Sequence, residues 1–222
     1  MLSETGTEPL RHLELKAASK RYGGKIVLHG VDHAFVTGLT LLVGPSGAGK
    51  STLLRLIATA ERLSGGVMLW NGVALPKSRR ALRKVLGYAP QSVELPEELT
   101  GREFGLQMAA LKGLERGGSN MQLSFLAERL GLAADFDRRI TTYSGGMRRR
   151  LILVQAMLGE PRLLALDEPT AELDATSIGY VVDLVRERAK SAIVVMTTHL
   201  AEGLTETSRA ILHVEGGQVR SA

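Results

Sequence analysis

Apolar and polar positions divide the chain into three stretches of different rhythm. Up to Trp70 the apolar residues come in short, strand-like runs. Residues 12–17 alternate, residues 26–35 and 39–43 read as two further strands, and 67–70 as another, closed by a tight turn at Asn71-Gly72. Paired glycines at Gly23-Gly24 and Gly65-Gly66 predict turns. The exception is 51–60, where Leu53, Leu54, Ile57 and Ala58 fall at helical spacing. Residues 85–88 form one more short strand pattern. From about 92 to 159 the rhythm turns helical. One helix covers 102–112, announced by Thr100 and broken by Gly117-Gly118; a second covers 121–130; a third runs from Ser144 through Leu158. Strand and helix then alternate again. A buried-type strand at 162–168 is followed by a helix at 176–189, a strand at 192–197 and a hairpin about Gly216-Gly217. This order predicts a nucleotide-binding α/β core with an inserted helical subdomain.

The join between the strand at 39–43 and the helix at 51–60 carries the first chemistry. It reads Gly44, Pro45, Ser46, Gly47, Ala48, Gly49, Lys50, Ser51, Thr52. That spacing is the phosphate-binding pattern G-x-x-x-x-G-K-[ST]. Glycines let backbone N–H groups curl inward where a side chain would block a phosphate. Lys50 supplies charge for the β- and γ-phosphates, and the Ser51 hydroxyl suits Mg²⁺, a hard cation that prefers oxygen. The following helix turns its positive end towards the same anion.

Other candidates lie at strand ends. Asp167 and Glu168 close the strand at 162–168, where ligands of open α/β sheets sit. Asp167 is placed to hold Mg²⁺ or its waters, and Glu168 to face an attacking water. His199 follows the strand at 192–197 in the same way and is assigned to the γ-phosphate. Tyr22 stands in a polar turn, either to stack on a base or to pack at a strand end. Ser144 with Gly145 and Gly146 is a capped helix start, read on its own as an ordinary cap or as a second anion site. Lys77, Arg79, Arg80, Arg83 and Lys84 read as a solvated basic face.

Composition narrows the setting only a little. The 222 residues are 44% hydrophobic and 23% charged, an ordinary globular balance. No apolar run approaches a membrane span, and the polar residues 1–12 lack the core of a signal peptide. The absence of cysteine excludes disulfides and thiolate metal sites. A net charge of +5 admits nucleotide, nucleic acid or anionic lipid and selects none.

Taken in order, these motifs resemble the nucleotide-binding subunits of ATP-binding cassette (ABC) transporters over about residues 12–220. Tyr22 matches the adenine-stacking aromatic, 44–52 the Walker A loop, and Gln91 the Q-loop glutamine. Residues 143–147, Tyr-Ser-Gly-Gly-Met, match the signature motif; 163–168 match Walker B with its catalytic glutamate, and His199 the switch histidine. The resemblance implies an α/β P-loop NTPase (RecA-like) core with an antiparallel β subdomain. It sets an ABC ATPase domain at 12–222, with a helical subdomain at about 92–159, after a lead-in at 1–11. It implies ATP and Mg²⁺ as cofactors, with Ser51, Gln91 and Asp167 as metal residues. Glu168, His199, Gln91 and Lys50 become catalytic residues. Ser144, Gly145 and Gly146 would contact the γ-phosphate held by a second subunit, in a head-to-tail dimer expected to be a homodimer. Separate transmembrane permease subunits would dock near Gln91 and the helical subdomain. The implied role is ATP hydrolysis powering transport, at the cytoplasmic face of the membrane, with no nucleic acid expected. A soluble ABC ATPase acting on nucleic acid or ribosomes is the alternative, and a scaffold subunit with a dead site is a third reading.

Two positions depart from the family pattern. Met147 replaces the usual glutamine, and with Arg148, Arg149 and Arg150 it is similar to the drug, lipid and polysaccharide exporter branch. Glu172 brings a bulkier, charged side chain into the D-loop, Ala171-Glu172-Leu173-Asp174.

Overall fold

The computed structural model describes residues 12–198 and 203–221. The expected lead-in at 1–11, and His199, lie outside the described residues. Ten strands and six α-helices follow one another in the described chain. β1 (His12–Tyr22) and β2 (Lys25–Val36) form a hairpin, and β3 (Gly38–Val43) leads into α1 (Lys50–Ile57). β4 (Gly65–Trp70) and β5 (Val73–Ala74) form a second hairpin, whose Asn71 and Gly72 have φ of 49° and 77°, as the Asn-Gly turn requires. α2 (Arg79–Lys84) and β6 (Leu86–Ala89) precede α3 (Gly101–Lys112), α4 (Arg116–Arg129) and α5 (Gly145–Met157). β7 (Leu163–Asp167), α6 (Ala175–Ala189), β8 (Ile193–Thr197), β9 (Ala210–Glu215) and β10 (Gln218–Ser221) complete the chain.

The strands make two sheets. A four-stranded antiparallel sheet runs β2-β1-β4-β5, and a six-stranded sheet runs β10-β9-β3-β8-β7-β6. In the larger sheet β9, β3, β8, β7 and β6 are parallel neighbours, and only β10 runs antiparallel. β7 and β8 are buried along their whole length, so they are apolar without alternation. Their side chains divide between two cores. Leu163, Ala165, Ile193 and Val195 pack with α1 and the antiparallel sheet. Leu164, Leu166, Val194 and Met196 pack with α4, α5 and α6. Leu53, Leu54, Leu56 and Ile57 of α1 are fully buried, and each contributes about 1.5–3 kcal/mol. The large sheet therefore holds α1 rigidly, and with it the loop in front.

Three expectations about local structure change. Gly117-Gly118 does not break a helix; it opens α4, where the Glu115 carboxylate accepts both N–H groups at 2.7 Å. The break falls at Gly113, φ 72°. Gly65-Gly66 opens β4 rather than turning, because β1 bulges at Ala17 (φ 47°) and Gly66 lies against the bulge, where a Cβ would come within 2.2 Å of the Ala17 carbonyl. Residues 79–84, read only as a basic face, form the short helix α2. Among the described residues, no helix is long and apolar enough to cross a membrane.

Candidate active site

The phosphate-type loop sits where its sequence context places it, between the end of β3 and the N-terminus of α1. Gly44 (φ 142°) allows a close approach no other residue could make, since a Cβ there would lie 2.0 Å from the Val214 carbonyl oxygen. Gly49 caps α1 in a left-handed conformation, φ 109°. Lys50 is buried, and its Nζ donates to the carbonyls of Gly44 and Pro45 at 2.8 and 3.0 Å. Its charge is thus folded back over the loop that it closes. Ser46 and Gly47 are exposed at the loop's tip, while Ala48 and Thr52 are buried.

Ser51 opens the second layer. Its Oγ donates to Asp167 Oδ1 at 3.1 Å, joining the loop to the end of β7. Thr197, at the end of β8, donates to the same Asp167 oxygen at 2.8 Å, and its Oγ1 accepts the Glu168 N–H at 2.8 Å. One relay therefore connects Glu168, Thr197, Asp167 and Ser51 across three adjacent strands. Asp167 is 2% exposed and keeps Oδ2 outside this relay. Glu168 is half-buried with φ 49°, a left-handed conformation uncommon for any residue with a Cβ and frequent at functional sites. Burial first, and the Asp167 carboxylate second, push the neighbouring Tyr88 phenol up to about 12. Thr197 was not among the expected residues. A threonine at a strand end reads as a strand former, and only the tertiary pairing of β7 with β8 reveals its hydroxyl.

The remaining candidates are spread around this centre. Gln91 is exposed, two residues past β6, whose parallel partner β7 carries Asp167 at the same end. It makes no hydrogen bond to Ser51 or Asp167 among the described residues. Tyr22 is 41% exposed at the end of β1; its hydroxyl donates to Glu61, and Lys20 Nζ covers one ring face at 4.8 Å. Burial acts to raise the Glu61 carboxyl, but the hydrogen bonds from Lys20 and Tyr22, with the Lys20 and Arg55 charges, bring it below the ordinary range. The hairpin bearing Tyr22 borders the loop, since Val27 and Leu28 of β2 lie against Gly49.

Ser144, Gly145 and Gly146 form a separate feature. The Ser144 side chain accepts the Met147 N–H at 3.2 Å and caps α5. The three arginines that follow each hold a different segment. Arg148 pairs with Glu97 at 2.7 Å, Arg149 donates to the Pro90 carbonyl at 3.2 Å, and Arg150 donates to the carbonyls of Leu130 and Gly131 at 3.1 and 2.9 Å. The segment bearing Gln91 is thereby tied to the start of α5. α5 packs against β6, which lies three places from β3 in the sheet order. No hydrogen bond joins 144–146 to the 44–52 loop of the same chain among the described residues.

Residues 30–171, more than half the chain, match the ABC transporter family. The chain belongs to the ABC transporter family. Among its relatives, the daunorubicin/doxorubicin resistance ATP-binding protein DrrA of Streptomyces peucetius is 34% identical over 215 residues, covering 96% of this chain and 65% of that protein. The Nod factor export ATP-binding protein I of Rhizobium etli is 32% identical over 212 residues, covering 93% and 66%. This ABC chain thus spans just under two thirds of the length of those relatives. A solved ATP-binding subunit of an ABC transporter superposes with a TM-score of 0.83 at 28% identity, covering 95% of this chain and 89% of that one. The expected layout of P-loop core, antiparallel sheet and inserted helices is the layout of those cassettes.

The site's donor chemistry also fits the implied cation. Among the described residues there is no cluster of three or more His, Cys, Asp or Glu. A carboxylate and a hydroxyl on one oxygen-only corner suit Mg²⁺, which takes few protein ligands and completes its shell with phosphate oxygens and water.

Proposed function

We propose that this ABC cassette binds and hydrolyses ATP as one half of a two-site dimer and powers a membrane transporter. The observation that carries the reading is the separation of its two anion-accepting helix ends. The loop at 44–52 has lysine, hydroxyl and carboxylate beside it. The signature end at 144–146 has N–H groups and no carboxylate–hydroxyl relay, and its helix packs against β6, three places along the sheet from the loop's own strand β3. A second copy placed head to tail brings the two together, and a homodimer supplies two such sites.

In this reading Tyr22 stacks the adenine with its uncovered face, and 44–52 wraps the phosphates with Lys50 turning from the loop carbonyls to the β- and γ-phosphates. Ser51 and Asp167 hold Mg²⁺, with Gln91 approaching from the end of β6. The cation supplies charge neutralisation on the phosphates when bound. Glu168, oriented by its N–H bond to Thr197, takes the proton of the attacking water. His199 contacts the γ-phosphate. The partner's signature N–H groups stabilise charge that develops on transfer. The segment 92–159 serves as the helical subdomain that carries the signature towards the partner and, with Gln91, faces the permease. Arg148 and Arg149 couple the two faces. The relatives' names, drug resistance and Nod factor export, favour export from the cytoplasmic side.

Glu168→Gln tests the chemistry. It should retain ATP binding, lose about 100-fold or more in turnover, and accumulate an ATP-bound dimer in sedimentation. Turnover close to wild type would sink the assigned base. For the transport role, tagged protein extracted from its host in detergent should bring down a multi-pass membrane protein in stoichiometric amount.

A further inference from the structure

α1 ends in a turn that sends the chain back along β1. Thr59 takes φ 53° and is held by Arg83, whose Nε donates to the Thr59 hydroxyl at 2.9 Å and whose Nη2 donates to its carbonyl at 3.0 Å. The residues that follow lie beside the end of β1. The Ser64 N–H donates to the Ser19 carbonyl at 2.8 Å, and the Arg21 N–H to the Ser64 hydroxyl at 3.0 Å. Lys20 Nζ donates to the Arg62 carbonyl at 3.0 Å. This pairing sets Glu61 next to Tyr22, 39 positions away in the chain.

The Glu61 carboxylate gathers three groups. The Tyr22 hydroxyl donates to Oε2, Lys20 Nζ lies 2.8 Å from the same oxygen, and Arg55 Nε lies 2.8 Å from Oε1. The Lys20 and Glu61 side chains are only 12% and 24% exposed, so their attraction is weakly screened and their geometry is held. The hydroxyl bond anchors the tip of the Tyr22 ring. Lys20 covers one face, 4.8 Å from the centroid, and sets its plane. A base can stack only on the other face. Arg55 carries the contacts inward, because its Nη2 donates to Thr52 Oγ1 at 3.2 Å and Thr52 closes the phosphate loop. Two side chains, Glu61 and Arg55, thereby tie the Tyr22 ring to that loop.

Resting on the adenine role proposed above for Tyr22, we propose that Glu61 is a positioning residue for the nucleobase, holding the Tyr22 ring so that its free face meets the base of a nucleotide whose phosphates lie in the 44–52 loop. Glu61 acts through Tyr22, so its effect is confined to ligands that carry a base. The ring is ordered before the ligand arrives, and the entropy lost in ordering it does not fall on binding.

The test compares Mg²⁺ complexes of ADP and of inorganic pyrophosphate, neither of which needs the hydrolytic step. ADP is titrated calorimetrically, and pyrophosphate is read by its competition with ADP. Tyr22→Ala should weaken ADP by about five- to 100-fold, the worth of one stacked base, and leave pyrophosphate unchanged. Glu61→Ala and Tyr22→Phe each free the ring while keeping it, and each should weaken ADP about three- to tenfold with pyrophosphate unchanged. The two combined should be no weaker than either alone, since both remove the same bond. Wild-type ADP affinity in Glu61→Ala overturns the inference. So does an equal loss for pyrophosphate, which would place the carboxylate's effect on the phosphate loop, and so does an additive loss in the combined variant. Tyr22→Ala with unchanged ADP affinity overturns the adenine role of Tyr22, and the inference with it.

Discussion

The N-termini of α1 and α5 both turn the positive end of a helix outward, yet they are built differently. α1 begins at a left-handed glycine with no side-chain cap, behind a loop pressed against β9 and closed by a buried lysine. α5 begins at an ordinary serine cap, and Gly145 is open to solvent. Around α1 the neighbouring strands supply Ser51, Asp167 and Thr197 in one relay. Around α5 the neighbours are Glu172 and three arginines turned to other segments. The helix dipole is common to both and so cannot separate them. What separates them is the ring of side chains contributed by other elements. In the reading proposed above, that ring makes one end a site and leaves the other as half of one.

The largest effect should come from adding a methyl group at each end. Gly44→Ala puts a Cβ 2.0 Å from a backbone oxygen at a φ that only glycine adopts readily. A cost of about 3 kcal/mol or more follows from strain plus overpacking, read as a large drop in the denaturant midpoint or as failure to fold. Gly145→Ala meets only the far end of Glu172 at 3.4 Å. It should fold as well as wild type or better, by up to about 0.5–1 kcal/mol from helix propensity, while losing ATP-driven dimerisation. If both variants lose stability alike, the contrast between a packed and an open helix end is wrong.

Next in size is the loss of a single charge. Lys50→Ala removes a cation whose hydrogen bonds are satisfied by loop carbonyls and are available to phosphates. Charge-assisted bonds of about 1.5–3 kcal/mol predict ATP binding weaker by roughly 10- to 150-fold. Calorimetric titration of ATP into the monomer measures it. The comparison sharpens if Ser144→Ala leaves that monomer titration unchanged, as the proposed role of the signature end at the other subunit's nucleotide requires. A weaker monomer titration for Ser144→Ala would place both ends at one nucleotide and break the two-site reading.

How far the sequence could be read follows the same division. The loop, the Asp167-Glu168 pair and the strand–helix order are legible because each is local: a spacing, a strand end, a period. The link from Ser51 to Asp167 is implied by the chemistry of the phosphate loop, and 116 positions of chain separate the two residues that make it. Thr197 is invisible for the opposite reason, since nothing in its own neighbourhood marks a strand-end hydroxyl as a clasp. Gly117-Gly118 misleads because the capping carboxylate of Glu115 rescues two glycines from breaking a helix. Arg148, Arg149 and Arg150 resemble a family variant in one dimension and become three tethers in three. The D-loop glutamate is recognisable as unusual, but its left-handed backbone, φ 63°, is visible only in the folded turn.

The smallest effect concerns the far end of α5. There Lys112 Nζ donates to the carbonyls of Gln155 and Leu158 at 3.1 and 2.8 Å, a cation at a helix C-terminus. Burial lowers its pKa to about 8. Below about pH 8 both folded and unfolded chains carry the proton, and the desolvated charge costs stability in full. Between about 8 and 10.5 the folded chain has released the proton and the unfolded chain still binds it, so stability rises with pH. A shift of this size corresponds to about 3 kcal/mol if nothing offsets it; the two carbonyl bonds and partial exposure reduce the expected gain to about 1 kcal/mol. The denaturant midpoint of wild type relative to Lys112→Met should therefore climb from pH 7 to pH 10. A flat difference would mean that the two carbonyls fully compensate the buried charge.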